Sequence, residues 1–376
     1  MHPVVKGDAY GHGAIPVARA LRGAGADGLC VATFDEALAI RAAGIDGPLV
    51  VLYPIPAGLG PLARQERVGV STGDATLLRA LLGSIGEGDG PPLDVQLDVE
   101  TGLGRAGLTG AELIEAARTI QANPSARLAG VWSHLQAPED GERTAAQLRR
   151  FEEAVVALGA AGVTLPPRHV AASGGLVLDG VAALDGVRPG LAMYGLIPDE
   201  LLHGPAGLRP DVRGGARGLR PALSLHARPV RVAELPAGTG ISYGPTFTTS
   251  RPSRIASLPI GYGDGWSRAL SNRAGAIVRG MRVPLVGNVA MDAVMADVTD
   301  VPGGPVSVDD EFVLIGSQGD LRITAAEVAE ARGTNSWEVV TTLAVRLPRV
   351  YHAASVLQDM RTLVAYEVGG RRSMRP

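Results

Sequence analysis

"PVVKGDAYGHGAIPVARALRGAGADGLCVAT", residues 3–33, holds two short apolar runs with a helical stretch between them. The first run, PVVK at 3–6, stops at a lysine, and the chain then turns through Gly7, Gly11 and Gly13 around a tyrosine. AIPVARALRGAG carries the spacing of a helix, and GLCVAT at 28–33 is the second run. Two strands joined through a helix pair in parallel, because a parallel pair needs a long crossover.

The same unit recurs down the chain. Apolar runs with polar ends follow at PLVVLY (48–53), VGVST (68–72), LDVQLDVE (93–100), AGVWSH (129–134), RHVAAS (168–173) and VRPGLAMYG (187–195). Helical patterns such as DEALAIRAAG, TGAELIEAARTIQA and ERTAAQLRRFEEAVVALGAAG lie between them. About eight units within roughly 200 residues fit a closed (β/α)8 barrel. A doubly wound open sheet is the rival α/β fold that the pattern leaves open. The composition shifts at HGPAGLRPDVRGGARGLRP (203–221), a Gly/Pro/Arg-rich linker or insertion. Beyond it ALSLHARPVRVAEL, SRIASLPI, GAIVRGMRVPLVG, AVMADVTD and EFVLIG read as strands of an antiparallel β domain, and ITAAEVAEARG as a helix. The expected division is a TIM-like barrel over 1–215 and a mainly antiparallel β domain over 216–376.

Bulk composition narrows the function. The chain has 376 residues and 46% hydrophobic content, enough for one large domain or two ordinary ones. Its 35 basic and 38 acidic residues leave a net charge of −3, so neither nucleic acid nor an acidic membrane surface is an expected partner. The single cysteine, Cys30, excludes an internal disulfide and a cysteine metal cluster, and fits a reducing compartment. The start lacks a charged and apolar leader pattern, and no apolar run approaches about 18 residues. A soluble, cytoplasmic protein is expected.

In a barrel, chemistry collects at the C-terminal ends of the strands. Those ends carry Lys6, Tyr53, Arg105, His134, Ser173 and Arg188. Strand ends are often polar anyway; an enzyme site is the sharper reading. Ser173 and the RPGL run follow the last two strands, where barrels often bind phosphate through backbone N–H groups near a glycine. A tight turn is the plainer role for Gly190. GLGRAG at 102–107 matches a dinucleotide fingerprint, but Glu100 and Thr101 stand between strand and first glycine. The next strand ends in Ser133–His134, where a ribose-binding acid would be expected, so the match is set aside. A neutral lysine amine attacks carbonyls, and burial or nearby cations make it neutral. With a phosphate site, Lys6 would suit pyridoxal 5′-phosphate; otherwise it is a salt-bridging lysine at the barrel rim.

The motifs jointly resemble the alanine racemase family. VVKGDAYGHG (4–13) is similar to its pyridoxal-phosphate attachment motif. DVETGLGRAGL, WSHLQAPED, RHVAASGG, VRPGLAMYGL, GTGISYGPTF, GYGDGWSR, VGNVAMDAVMADVTD and LPRVY resemble further blocks in the family's order, across positions 4 to 351. The resemblance implies a pyridoxal-phosphate-dependent racemase that makes D-alanine for peptidoglycan precursors. It also implies a barrel plus a C-terminal β domain, in a head-to-tail homodimer. Lys6 resembles the Schiff-base lysine, which is also the base on one face of the substrate Cα. Tyr243 resembles the base on the other face, supplied by the partner subunit. Two opposed bases suit racemisation, since one removes the proton and the other returns one. A tyrosine titrates near pH ~10, and each unit of depression takes about 1.4 kcal/mol, so a nearby cation is needed. Arg105, which resembles the arginine at the substrate carboxylate and the cofactor's ring oxygen, is the candidate.

Arg188 resembles the arginine facing the pyridine nitrogen. Being a donor that stays protonated, it should not hand that nitrogen a proton, which discourages transamination. His134 resembles the histidine that orients this arginine. Tyr10, Ser173, Gly190 and Leu191 resemble phosphate ligands; Met291 and Asp292 resemble substrate-side contacts, and Tyr262 a gate at the entrance. Four features depart from the family pattern. Only five residues precede Lys6 where the family has a few dozen, so either the start lies elsewhere or the domain contact is rebuilt. Trp337 stands in place of a phosphate-binding tyrosine, and Ala172 in place of an asparagine. Asp98 stands where many members carry a lysine, often carbamylated, and is expected to orient Arg105 directly. Ala290 and Ala172 would leave a roomier pocket, so a racemase of other or several amino acids is the alternative. A non-catalytic pyridoxal-phosphate-binding homologue is the alternative of another class, against which GTGISYGPTF argues.

Overall fold

The computed structural model describes all residues except 87–89, 179–183, 203–217, 354, 363–366, 369–370 and 373–376. Most of the linker expected at 203–221, and the border expected at 215/216, lie outside the described residues. Residues 1–219 and 220–376 form two compact units.

In the first unit six parallel strands lie side by side in chain order: β1 (Leu29–Val31), β2 (Leu49–Val51), β3 (Gly69–Thr72), β4 (Leu93–Asp98), β5 (Ala126–Trp132) and β6 (Arg168–His169). Two single bridges extend this sheet, Val4 onto Cys30 and Gly186 onto His169, both parallel. The outer segments then meet each other. His2 N–H donates to Val187 O at 2.9 Å and Val4 N–H to Pro189 O at 2.8 Å. The sheet therefore closes on itself as a barrel, and the open doubly wound sheet is ruled out. Every apolar run of the first half lies on this ring.

Local chemistry starts the intervening helices. Thr33 and Glu36 form a capping box that begins the helix Phe34–Ala42. The Asp140 carboxylate accepts from Arg143 N–H at the start of Gly141–Ala160. Strands of a barrel are covered on both faces, so their residues are buried on both. β4 shows the consequence: Leu93, Val95 and Leu97 are buried, and so are the polar Gln96 and Asp98. Gln96 and Asp98, two residues apart, share one face of the strand.

The second unit is an antiparallel sheet. It comprises β7 (Leu225–Ala227), β8 (Arg231–Leu235), β9 (Ser253–Leu258), β10 (Gly275–Val278), β11 (Met281–Val286), β12 (Val294–Asp297), β13 (Phe312–Gln318) and β14 (Leu321–Ile323). The order is β14-β13-β10-β11-β12-β9-β8, with β7 also on β13. ITAAEVAEARG supplies the helix Ala325–Arg332, capped by Thr324. Among the described residues no helix is long and apolar enough to cross a membrane, and no group of three metal-ligating side chains gathers.

Candidate active site

The lysine motif leaves the barrel through an unusual turn. Gly7, Asp8, Ala9 and Tyr10 all have φ between 53° and 61°, the left-handed region, and three of the four are not glycine. Left-handed backbone costs roughly 1–2 kcal/mol per such residue, so its surroundings must hold it. They do. The Glu36 carboxylate accepts from Gly7 N–H at 2.6 Å, and the Asp8 carboxylate from Ala14 N–H at 2.8 Å. Tyr10 packs against Tyr194, ring centroids 5.0 Å apart, and the Tyr194 hydroxyl donates to Val4 O at 2.7 Å. The turn thus fixes Lys6 at the C-terminal rim of the barrel with Tyr10 buried beneath it.

Tyr10 meets the loop after β6. The Ser173 hydroxyl oxygen accepts from Gly190 N–H at 2.9 Å and Ala192 N–H at 3.1 Å. A side chain at position 190 would run into the Tyr10 hydroxyl, so glycine is required there by contact rather than by conformation. Tyr10, Ser173 and Gly190 are therefore brought together, with Leu191 next to Gly190 in the chain. Burial pushes the Tyr10 phenol up to about 12, so it stays a neutral donor.

Arg188 is 3% exposed, with its guanidinium carbon 4.7 Å from the ring centre of Trp132. Its Nη1 donates to His169 Nδ1 and, at 3.1 Å, to His169 O; its Nη2 donates to Ser133 O at 2.8 Å. The other nitrogen of His169 donates to Gln96 Oε1 at 2.9 Å, because Nδ1 is the acceptor for the arginine. Burial lowers Arg188 to about 10, which leaves it charged, while burial and Arg188 hold His169 well below its usual range and neutral. This corrects the sequence expectation: His169, and not His134, orients Arg188. His134 is half-buried nearby; burial and the charges of Arg188, Arg105 and Lys6 lower it to about 3, so it is neutral too. His169 sits near the start of its run, four residues before the polar end at Ser173, inside a quoted motif. Two histidines on adjacent strands look alike in sequence, and only pairing separates them.

GLGRAG is a loop that folds back on its own strand. Leu108 N–H donates to Asp98 O at 2.9 Å and Glu100 N–H to Leu108 O at 3.2 Å. The Glu100 carboxylate accepts from Gly102 and Gly104 N–H. Those N–H groups are taken, so the resemblance to a dinucleotide loop ends at the letters. The loop presents Arg105, whose guanidinium carbon lies 5.4 Å from the Tyr53 ring centre. Asp98 is buried at 8% exposure and makes no ion pair among the described residues. Burial pushes its carboxyl up to about 7, against the downward pull of Arg105 and Arg188. The expectation that Asp98 orients Arg105 by direct contact is therefore not met; what the guanidinium touches is Tyr53. Burial and Arg105 also lower Lys6 from its usual value. One lysine and two arginines at one barrel mouth, flanked by neutral histidines, make a site for anions.

Tyr243, Tyr262, Met291, Asp292 and Trp337 belong to the second unit. Asn288 Nδ2 donates to Tyr243 O and Gly244 O, both at 2.9 Å, and Ser242 Oγ donates to Asn288 O at 2.6 Å. Tyr262 N–H donates to Ala290 O at 3.0 Å and Gly263 N–H to Met291 O at 2.7 Å. The segment 288–292 thus ties Tyr243, Tyr262 and Met291 into one face, where they are 76%, 44% and 57% exposed. Trp337 is half-buried on the helix Ser336–Thr341, apart from this tie.

Residues 1–198 match the family model described as alanine racemase, N-terminal domain, and residues 222–351 match the one described as alanine racemase, C-terminal domain. An alanine racemase of Symbiobacterium thermophilum is 43% identical over 93% of this chain and 89% of its own. A crystal structure of alanine racemase from Bacillus anthracis with bound L-Ala-P superposes with a TM-score of 0.86 at 32% identity, covering 96% of this chain and 90% of that one. A histidine racemase from Leuconostoc mesenteroides superposes with a TM-score of 0.81 at 26% identity, covering 91% and 88%.

Proposed function

The chain belongs to the alanine racemase family of isomerases, and from that premise we propose that it interconverts L- and D-alanine with pyridoxal 5′-phosphate at the barrel mouth. The observation that carries the reading is that Lys6 lies near Arg105 and Arg188 and that Tyr10, Ser173 and Gly190 lie together at the same mouth. The residues there fit the cofactor: the neutral Tyr10 phenol and the Ser173 hydroxyl are donors suited to a phosphate, and Arg188 is a fixed, protonated donor suited to the ring nitrogen. Lys6 would hold the cofactor, with Tyr10, Ser173, Gly190 and Leu191 at the phosphate, Arg188 at the ring nitrogen and His134 beside the ring. Bound there, it supplies an electron sink that acidifies the proton on Cα.

The chain's own groups then handle that proton. Burial and Arg105 favour the neutral Lys6 amine, the form able to take it on one face. Tyr243 of the partner subunit exchanges a proton on the opposite face, and Arg105 holds the substrate carboxylate and favours the phenolate. Met291 and Asp292 border the substrate, Tyr262 gates the entrance, and Trp337 takes the place of a phosphate-binding tyrosine. The exposed face bearing Tyr243, Tyr262 and Met291 supports a homodimer in which each site draws on both subunits. The product would feed peptidoglycan precursors from the cytoplasm. The test is reconstitution with pyridoxal phosphate, following its visible absorption and D-alanine formation. Lys6→Ala should lose the bound-cofactor band and turnover, on the order of 10⁴-fold or more; a Lys6→Ala protein that still racemises overturns the reading.

The histidine racemase on the same fold, together with the small residue Ala290 beside Met291 and Asp292, favours a second reading, a wider substrate range. Turnover of L-alanine against L-serine, L-lysine and L-histidine separates the two.

A further inference from the structure

Two arginines of the barrel mouth are held in different ways. Arg188 is fixed by hydrogen bonds to His169 and to Ser133 O. Arg105 makes no hydrogen bond or ion pair among the described residues; what its guanidinium touches is the face of Tyr53. We infer that Tyr53 is a positioning residue, its ring holding the Arg105 guanidinium over the mouth while leaving the N–H groups open to a substrate carboxylate. The inference deepens the reading of Arg105 given above and rests on it.

The backbone at residue 105 is already set. Glu100 pins Gly102 and Gly104, and Leu108 returns to Asp98, so the loop is closed at its base. The side chain beyond it is long and flexible, and unless restrained it spreads its charge over many rotamers. A carboxylate would restrain it, but would occupy the donors in the guanidinium plane and cancel the charge that the substrate needs. An aromatic face does neither, because it attracts the cation through the ring quadrupole and leaves the in-plane donors free. Of the two acids just before it, Glu100 is engaged by Gly102 and Gly104 N–H and Asp98 stays buried without an ion pair, which keeps Arg105 uncommitted. Tyr53 stands two residues past β2 and Arg105 seven past β4, so the contact bridges two separate strand ends. At 42% exposure Tyr53 contributes little to the core, and replacing it should leave folding intact.

The experiment compares Tyr53→Leu and Tyr53→Phe in the holoenzyme. KM for L-alanine and inhibition by propionate, a carboxylate without the amine, are measured beside kcat. Tyr53→Leu should raise KM and weaken propionate by the same factor, roughly two- to thirty-fold from the usual strength of such contacts, with kcat changing less. Tyr53→Phe keeps the ring face and should stay within about twofold. An unchanged KM in Tyr53→Leu, or equal damage in Tyr53→Phe, overturns the inference. Arg105→Ala supplies the control. If it leaves KM and propionate inhibition untouched, the carboxylate reading falls and Tyr53 with it. If Arg105→Ala weakens both, Tyr53→Leu should add nothing in that background; an additive loss overturns the role of Tyr53 alone.

Discussion

The barrel mouth and the exposed face of the second unit are organised in opposite ways. At the mouth, Arg188 is almost fully buried, and each guanidinium nitrogen that bonds has a named acceptor. On the second unit, Tyr243 is 76% exposed although Asn288 and Ser242 pin the backbone around it. Ser242 even adopts a φ of 66°, in the left-handed region, to turn the loop. The fold of the first unit supplies both placement and burial. That of the second supplies placement only, and a costly loop conformation that leaves an aromatic side chain in water points to a surface completed by something else.

The contrast is broken or confirmed most sharply at Tyr243. Replacing it with Phe should lower racemisation by about 10²–10⁴-fold, the usual worth of a positioned acid–base group. Lys6 would still act on its own face, so one enantiomer should keep exchanging its Cα hydrogen with deuterated solvent while the other stops. If the two residues come from different subunits, refolding Lys6→Ala together with Tyr243→Phe builds mixed dimers with one intact site of two. About a quarter of wild-type activity should then return, since half the dimers are mixed. Mixtures that stay dead would show that each site is made within one chain, and the exposed face would need another explanation.

The mouth itself is not uniformly satisfied, and Asp98 is where it should show strain. Its carboxyl is raised to about 7 by burial, against 3.8 when unfolded. The folded state therefore holds this proton more tightly than the unfolded chain does. Below about pH 4 both states are protonated and the residue is neutral in its effect; from there to about pH 7 the wild-type protein loses stability as the unfolded state ionises first. Asp98→Asn should escape that loss, gaining up to about 4 kcal/mol above pH 7. Urea unfolding of the cofactor-free protein between pH 4 and 8 reads it. Equal pH dependence in both proteins would mean that Arg105 and Arg188 fully offset the burial of Asp98; a wild type that gains stability over Asp98→Asn as pH rises would mean that the carboxylate is paired after all.

Much of this was readable from sequence because barrels repeat. Eight apolar runs with helical spacing between them can be counted without coordinates, and each proved to lie on the ring. Lys6, Ser173 and Arg188 were legible because each sits where a run turns polar. What stayed hidden depends on pairing across strands. Tyr53 and Arg105 are 52 positions apart, and nothing local in either loop announces that one ring lies under the other cation. The left-handed turn at Gly7–Tyr10 was hidden for another reason. Asp8, Ala9 and Tyr10 have no preference for that conformation, and it is imposed by Glu36 and by packing on Tyr194. His134 and His169 illustrate the limit best, since β5 and β6 are neighbours and each run carries one histidine, at the end of the first and near the start of the second.

That pair gives the finest test of how the mouth is wired. His169 accepts from Arg188 and donates to Gln96, so His169→Ala removes the acceptor of a buried charged group. A hydrogen bond to a charge is worth about 1.5–3 kcal/mol, which corresponds to roughly ten- to 150-fold in affinity if Arg188 faces the cofactor ring. Titration of each variant with pyridoxal phosphate measures it. His134→Ala should cost less, because Arg188 would keep its contacts to His169 and Ser133 O. Gln96→Leu should fall between the wild type and His169→Ala: it leaves the histidine in place but frees Nε2 from the acceptor that selects the tautomer. If His134→Ala instead proves the more damaging of the two histidine changes, the arginine would be governed from β5 after all. The mouth would then owe its order to a contact that forms only with the cofactor bound, and it would resemble the second-unit face more than it differs from it.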